Sequence, residues 1–360
     1  MPQDAVWEQK MAAMLDSVGQ KVQTCRKEDS LVFLYFSDLH TDSAQAECVQ
    51  LLCRALQMTA QRIGLDAVVD LGDNLNMLGR NFHATNETVK TVLSQLFAAM
   101  TAGLNCPFFA VNGNHDAIGT DFFKPDFWND IVKNGVNHAS AVYAPEGAAY
   151  YADHPASKTR MIFLSLPHDS DLYGEYPRPF WEFGAAQLRW LAQEALNTPY
   201  QVILLTHVPF FYQFRGDNTV MLKVWNGEAE KVTPIGELCG WIHDCGTAGE
   251  ILHAFAGHLP YENEALDIRM PASAPTAGLA GCFSGHTHAD ALWMPGEERG
   301  ENKNPLPCCQ TVIRTARPLT EEEPECCGVC MDVAVWTPSS QEFRIFRIGA
   351  GEDRQICLHK

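Results

Sequence analysis

Three short apolar runs, "LVFLYF" (31–36), "DAVVDLGD" (66–73) and "PFFAVN" (107–112), are separated by two segments of helical period. A continuous apolar run suits a strand covered on both faces. In the first intervening segment, about 44–63, Cys48, Leu51, Leu52, Ala55, Leu56 and Ile63 form one stripe and Gly64 supplies a stop. The second begins near Asn86 as a cap, with Val89, Val92, Leu93, Leu96, Phe97 and Met100 facing inward. Strand–helix–strand–helix–strand predicts parallel pairing through right-handed crossovers. The scheme resumes with "RMIFLSL" (160–166), a helix around 184–197, "QVILLTH" (201–207) and "GCFSGHTH" (281–288). Residues 117–158 read as loops and short elements. Residues 208–280 carry few periodic signals and are expected to form an insertion shaping access to a site. The end of the chain predicts an antiparallel hairpin turning at Thr337–Gln341. With no internal repeat and no linker, residues 31–360 are expected to be one domain. Ahead of it, within 1–30, Trp7, Met11, Met14, Leu15 and Val18 recur at the spacing of an amphipathic docking helix.

The strand candidates end in chemically similar residues. The first leaves Asp38 and His40, one residue apart and therefore on the same side of an extended chain. The others leave Asp73, then Asn114-His115-Asp116, then His207, then His286 and His288. In a parallel sheet such ends converge on one edge, where ligand crevices form. Carboxylate, imidazole and amide oxygen together suit Mn, Fe, Zn or a similar divalent ion. So many ligands exceed what one open catalytic ion needs. They match two ions about 3.5–4 Å apart sharing a bridging carboxylate, an arrangement that recurs in phosphate-ester hydrolysis.

Charge narrows the partners. Lys and Arg total 26 against 44 Asp and Glu, a net charge of −18. Such a surface repels a phosphate backbone, so long nucleic acid is disfavoured while a small phosphorylated substrate is not. No apolar stretch reaches the roughly 20 residues that span a bilayer, so no membrane partner is expected. Thirteen cysteines without a secretory signal suggest reduced thiols and a cytoplasmic location. Cys308, Cys309, Cys326, Cys327 and Cys330 lack the usual zinc spacing and read as buried or incidental thiols. Nothing in the sequence indicates the oligomeric state.

In their order, and each at a strand end, the blocks D-x-H, G-D, G-N-H-D, an isolated H and G-H-x-H across residues 38–288 resemble the calcineurin-like metallophosphoesterases. The tail "FRIGAGEDR" resembles that of bacterial members. The resemblance implies a four-layer α/β/β/α sandwich of two mixed sheets flanked by helices. It also implies hydrolysis of a phosphomonoester or phosphodiester by a hydroxide bridging two divalent ions. Carried over by position, Asp38, His40 and His288 would hold the first ion, and Asn114, His207 and His286 the second, with Asp73 bridging. His115 would be the non-ligand histidine that protonates the leaving oxygen or steadies the transition state. Arg80 and His83, after the Asp73 loop, and His168, after the fourth strand run, are placed to reach substrate. Protein-phosphatase members continue G-D-x-x-D-R-G, whereas this chain reads "GDNLNMLGR" with Asn76 in place of the aspartate that orients the histidine. Asn76 also stands where purple acid phosphatases place a ligand tyrosine. A nuclease or nucleotide phosphodiesterase would use the same ions, and a catalytically dead scaffold would predict eroded ligands; none of the set is missing.

Overall fold

The computed structural model describes residues 2–76, 86–113, 115–116, 140–145, 148–164, 180–181, 183–210, 219–222, 231–234, 241–242, 245–299, 302–316 and 328–358. Of the expected site residues, Arg80, His83, Asn114 and His168 lie outside them, as do Cys326 and Cys327.

The chain opens with helix α1 (Pro2–Cys25). There follow β1 (Leu31–Phe36), α2 (Glu47–Arg62), β2 (Ala67–Asp70), α3 (Asn86–Thr101) and β3 (Phe108–Ala110). These three strands pair in parallel, as the alternation predicts. The second half supplies β4 (Ala141–Tyr143), β5 (Tyr150–His154) and β6 (Thr159–Leu164). Helix α4 (Ala185–Trp190), continued by a π-helical stretch Leu191–Ala195, leads into β7 (Gln201–Thr206). After α5 (Cys245–Ala256) come β8 (Gly278–Ser284), β9 (Ala291–Trp293) and β10 (Cys309–Val312). The chain closes with β11 (Cys330–Thr337), β12 (Glu342–Gly349) and β13 (Arg354–Cys357).

The strands form two mixed sheets. The first has the order β13-β12-β11-β1-β2-β3 and the second β9-β10-β8-β7-β6-β5-β4. In the second, β6, β7, β8 and β10 run parallel. The closing hairpin turns through Pro338–Ser340 as expected, and β11 pairs antiparallel with β1, Leu31 opposite Trp336. One core lies between the sheets and under α1, α2 and α3; the other lies under α4 and α5 on the far face of the second sheet. The layers are therefore helix, sheet, sheet, helix. Phe33 and Tyr35 of β1 meet Phe283 of β8 edge-on at ring distances of 5.3 and 5.1 Å. At the edge of β3, the Tyr150 hydroxyl accepts from the Ala110 N–H (2.9 Å) and donates to its carbonyl (2.7 Å). That satisfies backbone groups a free edge would leave open. Helix α1 docks through Met11, Leu15, Val18 and Val22, all buried.

The stretch 208–280, expected over the site, lies partly outside the described residues. Its helix α5 buries Ala248, Ile251, Leu252 and Phe255 against the outer face of the second sheet, as a regular layer element. The hidden signal is amphipathicity interrupted by Gly246 and Gly249. Cys308, Cys309 and Cys330 are buried thiols, in keeping with the sequence reading. Among the described residues no helix is long and apolar enough to cross a membrane.

Candidate metal centre

The parallel strands of both sheets point their C-terminal ends at one rim, and the loops leaving them interlock. Asp38 N–H donates to the Gly72 carbonyl (2.8 Å) and His40 N–H to the Asp73 carbonyl (3.0 Å). From the opposite sheet, Gly285 N–H donates to the His207 carbonyl (2.9 Å) and His286 N–H to Asp38 Oδ2 (2.9 Å). Asp38 and His40 therefore do not converge because they alternate along an extended strand. Both have left the strand, with φ of 60° and 46°. Asp73 (57°), His286 (68°) and His288 (55°) share this left-handed conformation. It costs a non-glycine residue about 1–2 kcal/mol and persists where the surroundings over-determine it, commonly at functional sites. The motif glycines follow from the same crowding. A Cβ on Gly113 would sit 2.1 Å from Asp73 Oδ1, and one on Gly285 1.8 Å from Ser37 Oγ.

Two clusters result. In the first, His288 Nε2 lies 3.2 Å from Asp38 Oδ1 and 2.9 Å from His40 Nε2. In the second, His207 Nε2 lies 3.2 Å from both Asp73 Oδ2 and His286 Nδ1. Asp73 Oδ2 is also 3.9 Å from His40 Nε2, so this carboxylate stands between the clusters. A grouping of His40, Asp73 and His115 is likewise close enough to hold an ion, although His115 Nε2 is 4.0 Å from Asp73 Oδ2.

These residues fit divalent ions on chemical grounds. Ligand atoms about 2.1 Å from a shared ion are about 3 Å from one another, which is the spacing seen. Among the described residues, buried Asp38 Oδ1 accepts no hydrogen bond and is approached only by histidine nitrogens, and burying a carboxylate oxygen in this way is costly unless a cation meets it. Burial opposes the charge on Asp38 and Asp73, yet the surrounding histidines hold both well below the usual carboxylate range. Burial likewise opposes protonation of His207, but Asp73 pushes it up to about 9. His288 is raised against its burial by Asp38. Each carboxylate thus keeps its charge beside imidazoles that would release their protons to an incoming cation.

Orientation comes from the main chain. His207 Nδ1 donates to the Leu71 carbonyl (2.8 Å), turning Nε2 to the rim. His115 Nδ1 donates to the Asn76 carbonyl (2.8 Å), and its ring stands edge-on to His40 at 4.5 Å. Asp116, which the sequence reading sends into the cleft, turns inward instead and is 1% exposed. It accepts the N–H groups of Asp73, Asn74, Leu75 and Gly113 at 2.8–3.0 Å. Burial beside Asp73 pushes its pKa up to about 8, but four main-chain donors aimed at its oxygens suit a carboxylate. Nothing in "GNHD" distinguishes a residue that braces a loop from one that faces the cleft.

The profile of the Calcineurin-like phosphoesterase family matches residues 31–290, from the first residue of β1 to two residues past His288. The chain belongs to the calcineurin-like phosphoesterases. Solved structures similar to it include a dimetal phosphatase from Danio rerio, at 13% identity and TM-score 0.47, covering 91% of this chain and 99% of that one. Another is the calcineurin-like phosphoesterase YfkN from Bacillus subtilis, at 11% identity and TM-score 0.40, covering 91% of each. A 5'-nucleotidase precursor from Thermus thermophilus, at 11% identity and TM-score 0.37, covers 91% of this chain and 54% of that one. No curated protein sequence matches significantly.

Within this calcineurin-like phosphoesterase, the substitution of Asn76 for an orienting aspartate has a structural counterpart: the main-chain carbonyl does the orienting. Asn76→Ala is therefore expected to change kcat by no more than about twofold, the effect of an uninvolved surface side chain. Steady-state turnover of a nitrophenyl ester checks this, and a large loss would show that the amide side chain is used.

Proposed function

We propose that the chain hydrolyses a small phosphomonoester or phosphodiester with two divalent ions held at the rim. The observation that carries this reading is the Asp73 carboxylate standing between two clusters of converging imidazole and carboxylate donors. Asp38, His40 and His288 would hold one ion, and His207 and His286, with Asn114, the other; Asp73 would bridge. Bound there, the ions would supply a hydroxide nucleophile at neutral pH and neutralise charge developing on the phosphoryl oxygens.

The chain's own groups supply the rest. Asp116 fixes the backbone that carries Asp73. With Nδ1–H committed to the Asn76 carbonyl, His115 presents Nε2 to the rim, from which, in the imidazolium form, a proton would pass to the leaving oxygen. Arg80, His83 and His168 remain candidates to contact substrate. The net charge of −18 supports a small substrate over long nucleic acid, and thirteen cysteines suit a reducing, cytoplasmic setting.

Removing metal tests the reading. Chelator-treated protein should lose nitrophenyl mono- or diester turnover by at least about 100-fold and regain it with Mn or Zn. Turnover that survives chelation contradicts the proposal. So does a metal-loaded chain that turns over neither ester.

A further inference from the structure

Beyond the rim, the C-terminal hairpin places a guanidinium where the loop carrying His286 and His288 rejoins the sheet. Arg347 lies on β12 opposite Asp332 of β11, which in turn lies opposite Tyr35 of β1. Arg347 Nε donates to Asp332 Oδ1 (2.7 Å). Its two terminal nitrogens reach out of the first sheet to Asp290, Nη1 to Oδ2 at 2.9 Å and Nη2 to Oδ1 at 2.6 Å. Asp290 Oδ1 also accepts the Arg314 N–H (3.2 Å), just past β10 of the second sheet. Arg354 completes the group, donating to Asp332, to the Tyr35 hydroxyl (3.3 Å) and to the Val312 carbonyl (3.3 Å).

This network spans the same two sheets as the first ligand cluster, in which Asp38 and His40 come from one sheet and His288 from the other. On its upstream side the His286–His288 loop is tied directly to the site by the Gly285 and His286 N–H groups. Downstream it is held by Asp290, two residues past His288, and then by the pairing of β9 with β10 that starts at Ala291 opposite Val312. His288 is left-handed and its side chain is 31% exposed, so its position depends on both ties. The Arg347 side chain is only 2% exposed, and a planar two-pronged guanidinium–carboxylate contact fixes direction as well as distance. Gly351 lets the chain pass the pair: a Cβ there would lie 2.2 Å from Arg347 Nη1.

We propose that Arg347, through its two-pronged bond to Asp290, is a positioning residue for His288 and sets the divalent-ion affinity of the Asp38–His40–His288 cluster selectively. This rests on the two-ion reading above. Groups that orient ligands from behind typically alter metal affinity about 10- to 100-fold when removed.

The test is calorimetric titration of Mn into the metal-stripped full chain, in two backgrounds that each leave one cluster intact. In His286→Ala, which leaves the first cluster, Asp290→Asn should weaken Mn binding about 10- to 100-fold. In His288→Ala, which leaves the second, the same change should have an effect below about twofold. Arg347→Lys, keeping the charge but losing the second prong, should reproduce the asymmetry. Equal weakening in both backgrounds, the mark of general loosening, overturns the proposal, as does no weakening in either. If the unsubstituted chain takes up no Mn, the two-ion reading itself fails, a result distinct from both.

Discussion

Asp73→Asn is expected to lower turnover by on the order of 1,000-fold or more, the scale of losing an essential active-site group, and to empty the protein of divalent ion. The carboxylate has two duties. Oδ1 accepts the His115 N–H at 2.7 Å, while Oδ2 stands 3.2 Å from His207 Nε2 and 3.9 Å from His40 Nε2. An amide can keep only one of them. If its oxygen retains the backbone contact, its NH₂ group faces the two clusters and repels a cation. If it turns round, the His115 N–H loses its acceptor. The side chains are nearly the same size, so the fold should survive, which thermal unfolding would verify. Elemental analysis and ester turnover, measured together, check the rest. Normal ion content in the variant would remove Asp73 from its bridging position.

His115→Ala should behave differently: ions retained, rate lowered about 100- to 10,000-fold, the range that a positioned acid or base contributes. Its Nδ1–H is spent on the Asn76 carbonyl, and Nε2 lies 4.0 Å from Asp73, farther than the separations within the two main clusters that resemble a shared ion's ligand spacing. The close grouping of His40, Asp73 and His115 makes this a discriminating experiment. A ligand's removal would reduce bound ion; a proton donor's removal would not. The variant's deficit should also shrink for esters with acidic leaving groups, which need little protonation.

Much of the site is legible in the sequence because its residues cluster at strand ends, and strands as apolar as "LVFLYF" are hard to mistake. The motifs name Asp38, His40, Asp73, His207, His286 and His288, and the fold brings them to one rim. Strand alternation is an incomplete reason for Asp38 and His40. It is a local property, whereas their left-handed backbone is set by hydrogen bonds to Gly72 and Asp73, residues more than thirty positions away. Asp116 defeats a sequence reading for a related reason: its four donors come from two separate loops. Pairing of β11 with β1, Leu31 against Trp336, leaves no trace in either segment's periodicity. Neither does the bond from Arg347 to Asp290. Such long-range partners are chosen by packing, and a single sequence records only the residue types that make them possible. Helix α5 is hidden because its glycines weaken the helical signal.

The most direct measurement is the number of divalent ions bound per chain, read by elemental analysis after reconstitution with Mn and removal of excess. Two rows of donors from opposite sheets, sharing Asp73, should retain two. A reconstituted, folded chain that holds none would contradict this metal centre, whatever esters it turned over.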